Sequence, residues 1–398
     1  MSSFIPYGRH TVDQDDIKAV EAVLKGDWLT CGSVVEDFEK KLCELTDSPF
    51  VVSCSNGTTA LHLALLALGI GPGDGVVVPA ITFLASANAA RYVGADVIFA
   101  DVDPKTGLMT VSTLESALNS YQGPSQIKAV VNVHLNGQCE DLEAIYQVAK
   151  GHNLSIVEDA AHAIGTIYIN RLGQKYPIGS NQYSDLTTFS FHPVKTIATG
   201  EGGAVTCKSP ELAKRLKLLR CHGMIKNKDD WQNPDQGFDE KDSSNPWYYE
   251  MQELGFNYRI SDVNCALGLS QLKKLNQFKV KRTELVERYG NSFEKMPHIS
   301  LLKKHSFSDT AWHLYVIQID FKGIGKSRAQ VMNILKDNGI GTQVHYMPLY
   351  RQPYYQKLYE VQQLPGAEAY YNSCLSIPLY YGLSDEQQDH VIKAIKEL

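Results

Sequence analysis

The sequence predicts an α/β fold, a mostly parallel sheet flanked by helices with a smaller α+β unit toward the C-terminus. Two observations carry this. Between about residues 50 and 210, short apolar runs of strand length alternate with segments of ten or more residues at helical spacing. Those runs are apolar on both faces, as strands of a sheet covered on both sides are. With 398 residues, 43% of them hydrophobic, the chain can bury two cores.

Taken in order, "FVVSC" leads into a helix that begins near Thr58 and closes at Gly69. "GVVVPA" leads to "FLASANAARYVGA" and then "DVIFADVD". "IKAVVNVHL" leads to "DLEAIYQVAKGHN" and then "LSIVEDAAHA". The stretch 226–250 changes character: it is polar and acidic, with two prolines and several aromatic residues, and reads as an exposed excursion or lid. From Ser261, a plausible N-cap, helical spacing continues for about thirty residues. The expected division is a large α/β domain over 1–265 and a small α+β domain over 266–398. No repeat or low-complexity segment interrupts this plan.

The net charge of −6, with no run of lysine or arginine, argues against nucleic acid or anionic lipid as the main partner. The opening residues lack an apolar signal core, and "TALHLALLALGIG" is too short to span a bilayer and reads as a buried helix. Eight scattered cysteines without a C-x-x-C pair fit a reduced cytoplasmic enzyme better than a disulfide scaffold or a zinc site. No metal is expected.

In sheets of this kind ligands bind beyond the carboxyl ends of the strands. Ser55-Asn56-Gly57-Thr58-Thr59 stands between a strand and a helix, where it is either an anion seat or an ordinary N-cap. Glu158-Asp159 ends an apolar strand, and a carboxylate there can hold a metal, cap a helix or pair with a cationic ring. Phe83, just past another strand, is either core or a face for a planar ligand. Lys195 follows a strand with Phe189 and Phe191 on one face and Thr188, Ser190 and His192 on the other. Partial desolvation between Pro193 and "TGEGG" lowers an ammonium pKa, as an amine nucleophile needs. Together these four pieces ask for a ligand with a phosphate, a planar ring, a basic nitrogen and a carbonyl. Pyridoxal phosphate has all four.

At these same segments the chain resembles the DegT-type sugar aminotransferases, fold type I pyridoxal-phosphate enzymes that act on nucleotide-linked keto-sugars. The resemblance runs from Ile5 to about Leu383. It rests on "SNGTTALHLALLALGIGPGDGVVVPAITFLASANAARYVGADVIFADVD", "IVEDAAHAIGT", "SFHPVKTIATGEGGAV" and "ELGFNYRISDVNCALGLSQLKKL". "SFHPVK" with "PWYYEMQELGFNYR" is most similar to the branch that makes UDP-4-amino-4,6-dideoxy-N-acetyl-β-L-altrosamine in the pseudaminic acid pathway. The resemblance implies that Lys195 is the Schiff-base lysine and Asp159 the partner of the pyridine nitrogen. It places His162 beside the ring hydroxyl, Phe83 against the ring, and Thr58, Thr59 and Ser190 in the phosphate cup. Asn257 would reach the same phosphate from a neighbouring subunit, which implies a homodimer with shared sites. Tyr7, Thr30, His313, His345 and Tyr346 fall in segments that line the substrate cleft in the family.

The implied reaction moves an amino group from L-glutamate to the keto carbon, C4, of a UDP-linked 4-keto-6-deoxy-N-acetyl-hexosamine, with Lys195 as covalent anchor and general acid/base in turn. The alternatives are a dTDP- or GDP-linked acceptor aminated at C3 or C4, and a non-catalytic binding protein. Related deoxygenases carry histidine in place of the lysine, so Lys195 argues against that chemistry. Residues 229–246 extend the usual form of their segment, and Ala198 stands where close relatives commonly have a hydroxyl residue.

Overall fold

In the computed structural model, which describes residues 4–360 and 363–398, two helices precede the first strand: α1 (Gln14–Leu24) and α2 (Ser33–Thr46). The expected alternation follows: β1 (Phe50–Cys54), α3 (Gly57–Ala67), β2 (Asp74–Pro79), α4 (Leu84–Tyr92), β3 (Asp96–Ala100), α5 (Val111–Ser120), β4 (Gln126–Val133), α6 (Leu142–Gly151) and β5 (Ser155–Asp159). Two short strands, β6 (Ile167–Ile169) and β7 (Lys175–Pro177), branch off as a side hairpin. Then β8 (Leu186–Ser190), β9 (Gly203–Cys207) and α7 (Pro210–Arg220) complete the main layer.

The seven-stranded sheet has the order β1-β9-β8-β5-β4-β2-β3. From β8 to β3 neighbouring strands run parallel, while β9 is antiparallel to both β8 and β1. The exception has a simple origin. A parallel neighbour needs a crossover element, and no helix separates β8 from β9, so the chain comes straight back. Along each strand successive side chains enter opposite cores. Val76 and Val78 pack with Leu61, Leu65 and Ala87 of α3 and α4, while Val77 joins Leu114 and Ile145 of α5 and α6. Complete burial of each such aliphatic side chain is worth about 1.5–3 kcal/mol. Helix α3 is buried on all sides, with Ala60, Leu63, Ala64 and Leu65 fully covered. That explains its nearly uninterrupted apolar sequence.

The excursion is closed at its base by an antiparallel pair, β10 (Met224–Ile225) and β11 (Glu250–Met251). It is exposed as expected, but it carries a small core of its own: Trp231 packs edge-on against Tyr248 at 4.6 Å and Phe238 at 5.6 Å. The expected single long helix is two helices, α8 (Asp262–Leu272) and α9 (Leu275–Phe293). The chain tightens at the junction, where Lys274 N–H bonds to Gln271 O, and the Lys274 ammonium reaches the Asp13 and Asp16 carboxylates. Leu272, Leu275 and Phe278 lie in one core on both sides of the bend, so the apolar spacing carries no mark of it. A division between residues 265 and 266 falls within α8.

After α9 come β12 (Ile299–Leu301), β13 (Ser308–Asp309), β14 (Tyr315–Ile319), α10 (Arg328–Asp337), α11 (Pro353–Leu358), α12 (Pro365–Ser373), β15 (Cys374–Ile377) and α13 (Asp385–Lys396). Strands β12-β14-β15 form an antiparallel sheet whose Ile317 and Leu375 pack with Tyr289 and Phe293 of α9, Leu335 of α10 and Val391 of α13. Strand β13 pairs with β6, which ties the C-terminal part to the first layer. Among the described residues no helix is long and apolar enough to cross a membrane.

Candidate active site

A cavity of about 680 Å³ opens at the carboxyl ends of β5 and β8. The first helix turn on its wall belongs to α3. Asn56 caps that helix in a reciprocal box: Asn56 Oδ1 accepts the Thr59 N–H at 2.9 Å, and Thr59 Oγ1 accepts the Asn56 N–H at 3.1 Å. This leaves the N–H groups of Gly57 and Thr58, both of which line the cavity, at the positive end of the helix. A Cβ on Gly57 would stand 2.7 Å from Ser190 Cβ, so only glycine lets the helix end and the end of β8 close up into one cradle.

Strand β8 delivers Thr188 and Ser190 to the cavity while Phe191 turns into the core against Phe38, with ring centres 5.4 Å apart. The loop beyond it is pinned at both ends: Phe191 N–H bonds to Gly202 O, and Thr199 N–H to Phe191 O. Lys195 sits in this loop, its N–H bonded to His192 O across a tight turn. The side chain keeps some exposure to the cavity, but protein crowds its ammonium. Burial brings its pKa down to about 8, against the opposing pull of the Asp159 charge.

Asp159, at the end of β5, is buried and held from two sides. Its Oδ2 accepts from Ser86 Oγ at 2.7 Å, and its Oδ1 from Ala161 N–H at 3.1 Å. Thr82 supports Ser86 at 2.7 Å. Phe83, the residue before α4, is 55% exposed, and its ring lies 6.1 Å from that of Tyr346. Three buried histidines line the same space. His162 and His313 have ring centres 4.3 Å apart, and His345 Nδ1 is 2.7 Å from Ser376 Oγ. Burial, reinforced by neighbouring positive charge, holds His162 and His313 well below the usual imidazole range and takes His345 down to about 3. All three are neutral at physiological pH. Tyr346, whose hydroxyl burial keeps protonated, lies 3.3 Å from His162 Nε2.

Ten of the residues singled out in the sequence therefore line one cavity: Tyr7, Thr58, Phe83, Asp159, His162, Ser190, Lys195, His313, His345 and Tyr346. Three do not. Thr59 was expected in the phosphate cup, but its hydroxyl is consumed by the α3 cap and also donates to Asn56 O at 2.8 Å. Thr30 is exposed and bridges to Ser261, away from the cavity of its own chain. Asn257 is likewise exposed and pairs through its backbone with Cys221.

The profile of the DegT/DnrJ/EryC1/StrS aminotransferase family matches residues 10–396. The chain belongs to that family. Among its relatives, the spore coat polysaccharide biosynthesis protein SpsC of Bacillus subtilis is 38% identical over 398 residues, 99% of this chain and 97% of the relative. Among solved structures, Helicobacter pylori PseC, described as an aminotransferase involved in the biosynthesis of pseudoaminic acid, is 29% identical with a TM-score of 0.87, covering 99% of each chain. The aminotransferase Spr1654 of Streptococcus pneumoniae in its PLP form is 29% identical with a TM-score of 0.84, over 99% of this chain and 100% of that one.

DegT/DnrJ/EryC1/StrS aminotransferases work with pyridoxal phosphate, and this chain is one of them. The donor set fits that cofactor: a helix N-terminus flanked by the Thr58 and Ser190 hydroxyls, a doubly anchored carboxylate, and an amine with a depressed pKa in the same cavity. Several groups in and behind the cavity wall have no sequence signal that isolates them. Ser86 stands one helical turn after Thr82, so spacing could have placed the two hydroxyls on one face, but nothing local points them at Asp159. Gln343, Met347 and Gln352 reach the cavity only through the fold of the C-terminal part.

Proposed function

We propose that this chain transfers an amino group from L-glutamate to the keto carbon, C4, of a UDP-linked 4-keto-6-deoxy-N-acetyl-hexosamine. The observation that carries the aminotransferase chemistry is the shared cavity of Lys195 and Asp159, with the amine at a pKa of about 8. The likeness to PseC supports the sugar and the pathway, and SpsC supports a role in building a polysaccharide.

Pyridoxal phosphate supplies an aldehyde that takes up the donor nitrogen and a protonated ring that absorbs the electron pair left on the adjacent carbon. In this reading Lys195 Nζ is the amine that would hold the cofactor through its aldehyde. As a free amine it would take up and return the proton of the donor Cα. The low pKa favours the neutral amine that this step needs. Asp159, with one oxygen accepting from Ser86 and the other from Ala161, would pair its charge with the ring nitrogen and favour its protonated form. Gly57 and Thr58 N–H groups with the Thr58 and Ser190 hydroxyls would hold the phosphate. Phe83 would cover the ring, and Tyr7, His313, His345 and Tyr346 would receive the substrates.

Asn257 completes the phosphate site of a second copy, which makes the working unit a homodimer. Its exposure away from its own cavity supports that reading.

A panel of UDP-, dTDP- and GDP-linked keto-sugars with glutamate, with product stereochemistry read by NMR, tests the proposal. A 4-amino UDP-sugar is expected. Preference for a dTDP- or GDP-sugar, or amination at C3, would overturn it.

A further inference from the structure

The corner after β4 uses an unusual backbone. Asn136 has φ 62° and ψ 2°, in the left-handed region, and Gly137 follows at φ 93°. The corner is fixed from outside. Thr166 Oγ1 donates to Gly137 O at 2.8 Å and accepts the Ala311 N–H at 2.9 Å, and a Cβ on Gly137 would lie 2.3 Å from Ala311 O. Asn136 is fully buried, and its side-chain amide has no partner in good hydrogen-bond geometry, though it lies near enough to the buried Tyr370 hydroxyl to bear on its ionisation. A buried amide without partners is costly to keep. What the residue supplies is its main chain: Asn136 N–H donates to His162 Nδ1 at 3.3 Å, and its carbonyl accepts the backbone N–H of His313 at 3.0 Å.

We propose that Asn136 is a positioning residue whose left-handed backbone fixes the tautomer of His162 and the stance of His313 beside it. An imidazole that accepts at Nδ1 carries its proton on Nε2, and that nitrogen faces the Tyr346 hydroxyl at 3.3 Å. Tyr346 then accepts from His162, and its own O–H is free to donate into the cavity. The inference rests on the proposed placement of His162 beside the cofactor ring, and its test separates the two. Asparagine suits the position because, after glycine, it is among the residues that best tolerate the left-handed region. In this proposal it is the left-handed angle, not the amide, that sets the two histidines.

The test is ¹⁵N NMR of histidine-labelled full-length protein, with the His162 signals assigned through H162Q. It is paired with a pH titration of visible absorbance of the cofactor-loaded enzyme. Wild type should show the Nε2–H tautomer, and N136G, which keeps access to positive φ, should match it. N136V and the milder N136A should show mixed tautomers and move the absorbance midpoint by about half a pH unit or more. Should N136V fail to fold, N136A decides. A folded N136A with wild-type tautomer would overturn the proposal, as would N136G proving as damaging as N136A. A tautomer change without a midpoint change upholds the positioning role and overturns the placement of His162 beside the ring.

Discussion

In the proposed function, Lys195 and the three neutral imidazoles around it set the chemistry at the scale of single residues. Borohydride reduction of the cofactor-loaded enzyme followed by peptide mapping should tag Lys195, and K195A should lower turnover by about 10²–10⁴-fold or more, since it removes both anchor and proton carrier. A label on another lysine would end the assignment. The histidines predict a pH effect on stability. His345 is neutral in the fold down to about pH 3, whereas in the unfolded chain it takes up a proton near its ordinary value. Between those limits the unfolded state binds more protons, so acidification below about 6.5 destabilises the fold progressively, and His162 and His313 act in the same direction. H345Q should therefore shift the acid-unfolding midpoint, followed by circular dichroism, to lower pH. A midpoint moved upward would contradict the burial of a neutral ring at this position.

In the proposed function, the element that matters most to the cofactor is the first turn of α3, because one cap serves two ends. Asn56 and Thr59 satisfy each other, and the remaining free N–H groups face the cavity. N56A should cost about 1 kcal/mol in denaturant unfolding, the usual worth of an N-cap, and also weaken pyridoxal phosphate binding measured by fluorescence. G57A is expected to lower cofactor affinity more than N56A does, since its Cβ would push Ser190 out of the cradle. Equal affinities in G57A and wild type would show that the close approach of α3 to β8 is not what builds the seat. The bend between α8 and α9 belongs to this scale too. Its Lys274 contacts to Asp13 and Asp16 join α9 to α1, segments more than two hundred residues apart.

For the whole molecule, the location of Asn257 makes a prediction that no property of one chain can mimic. If it serves a second copy, mixing K195A and N257A chains restores one complete site per heterodimer. Random exchange of subunits then gives about a quarter of wild-type activity, from two preparations that are each nearly inactive. Activity that stays at the level of the separate mutants after verified exchange would sink the shared site. The excursion closed by β10 and β11 lies immediately before the Asn257 segment in the chain, and its Trp247, Tyr249 and Met251 are exposed.

Alternating strands and helices, the anion-ready turn at Asn56-Gly57-Thr58, the carboxylate ending β5 and the lysine after β8 were all legible from local pattern. Strand burial, capping and the break at Pro193 are written in neighbouring residues. Local pattern was blind to whatever depends on partners far along the chain. Helical spacing runs through the α8–α9 bend, whose Lys274 contacts to Asp13 and Asp16 come from far along the chain. The hydroxyl of Thr59 went to the cap rather than the cavity because Asn56 lies within reach of it. Ser86 became the support of Asp159, and Asn136 the clasp of two histidines, only when β2, β4 and β5 came side by side. A sequence determines which side chains can carry a charge, a proton or a ring, but distance and desolvation arise from packing, and these tuned Lys195 and silenced the imidazoles around it.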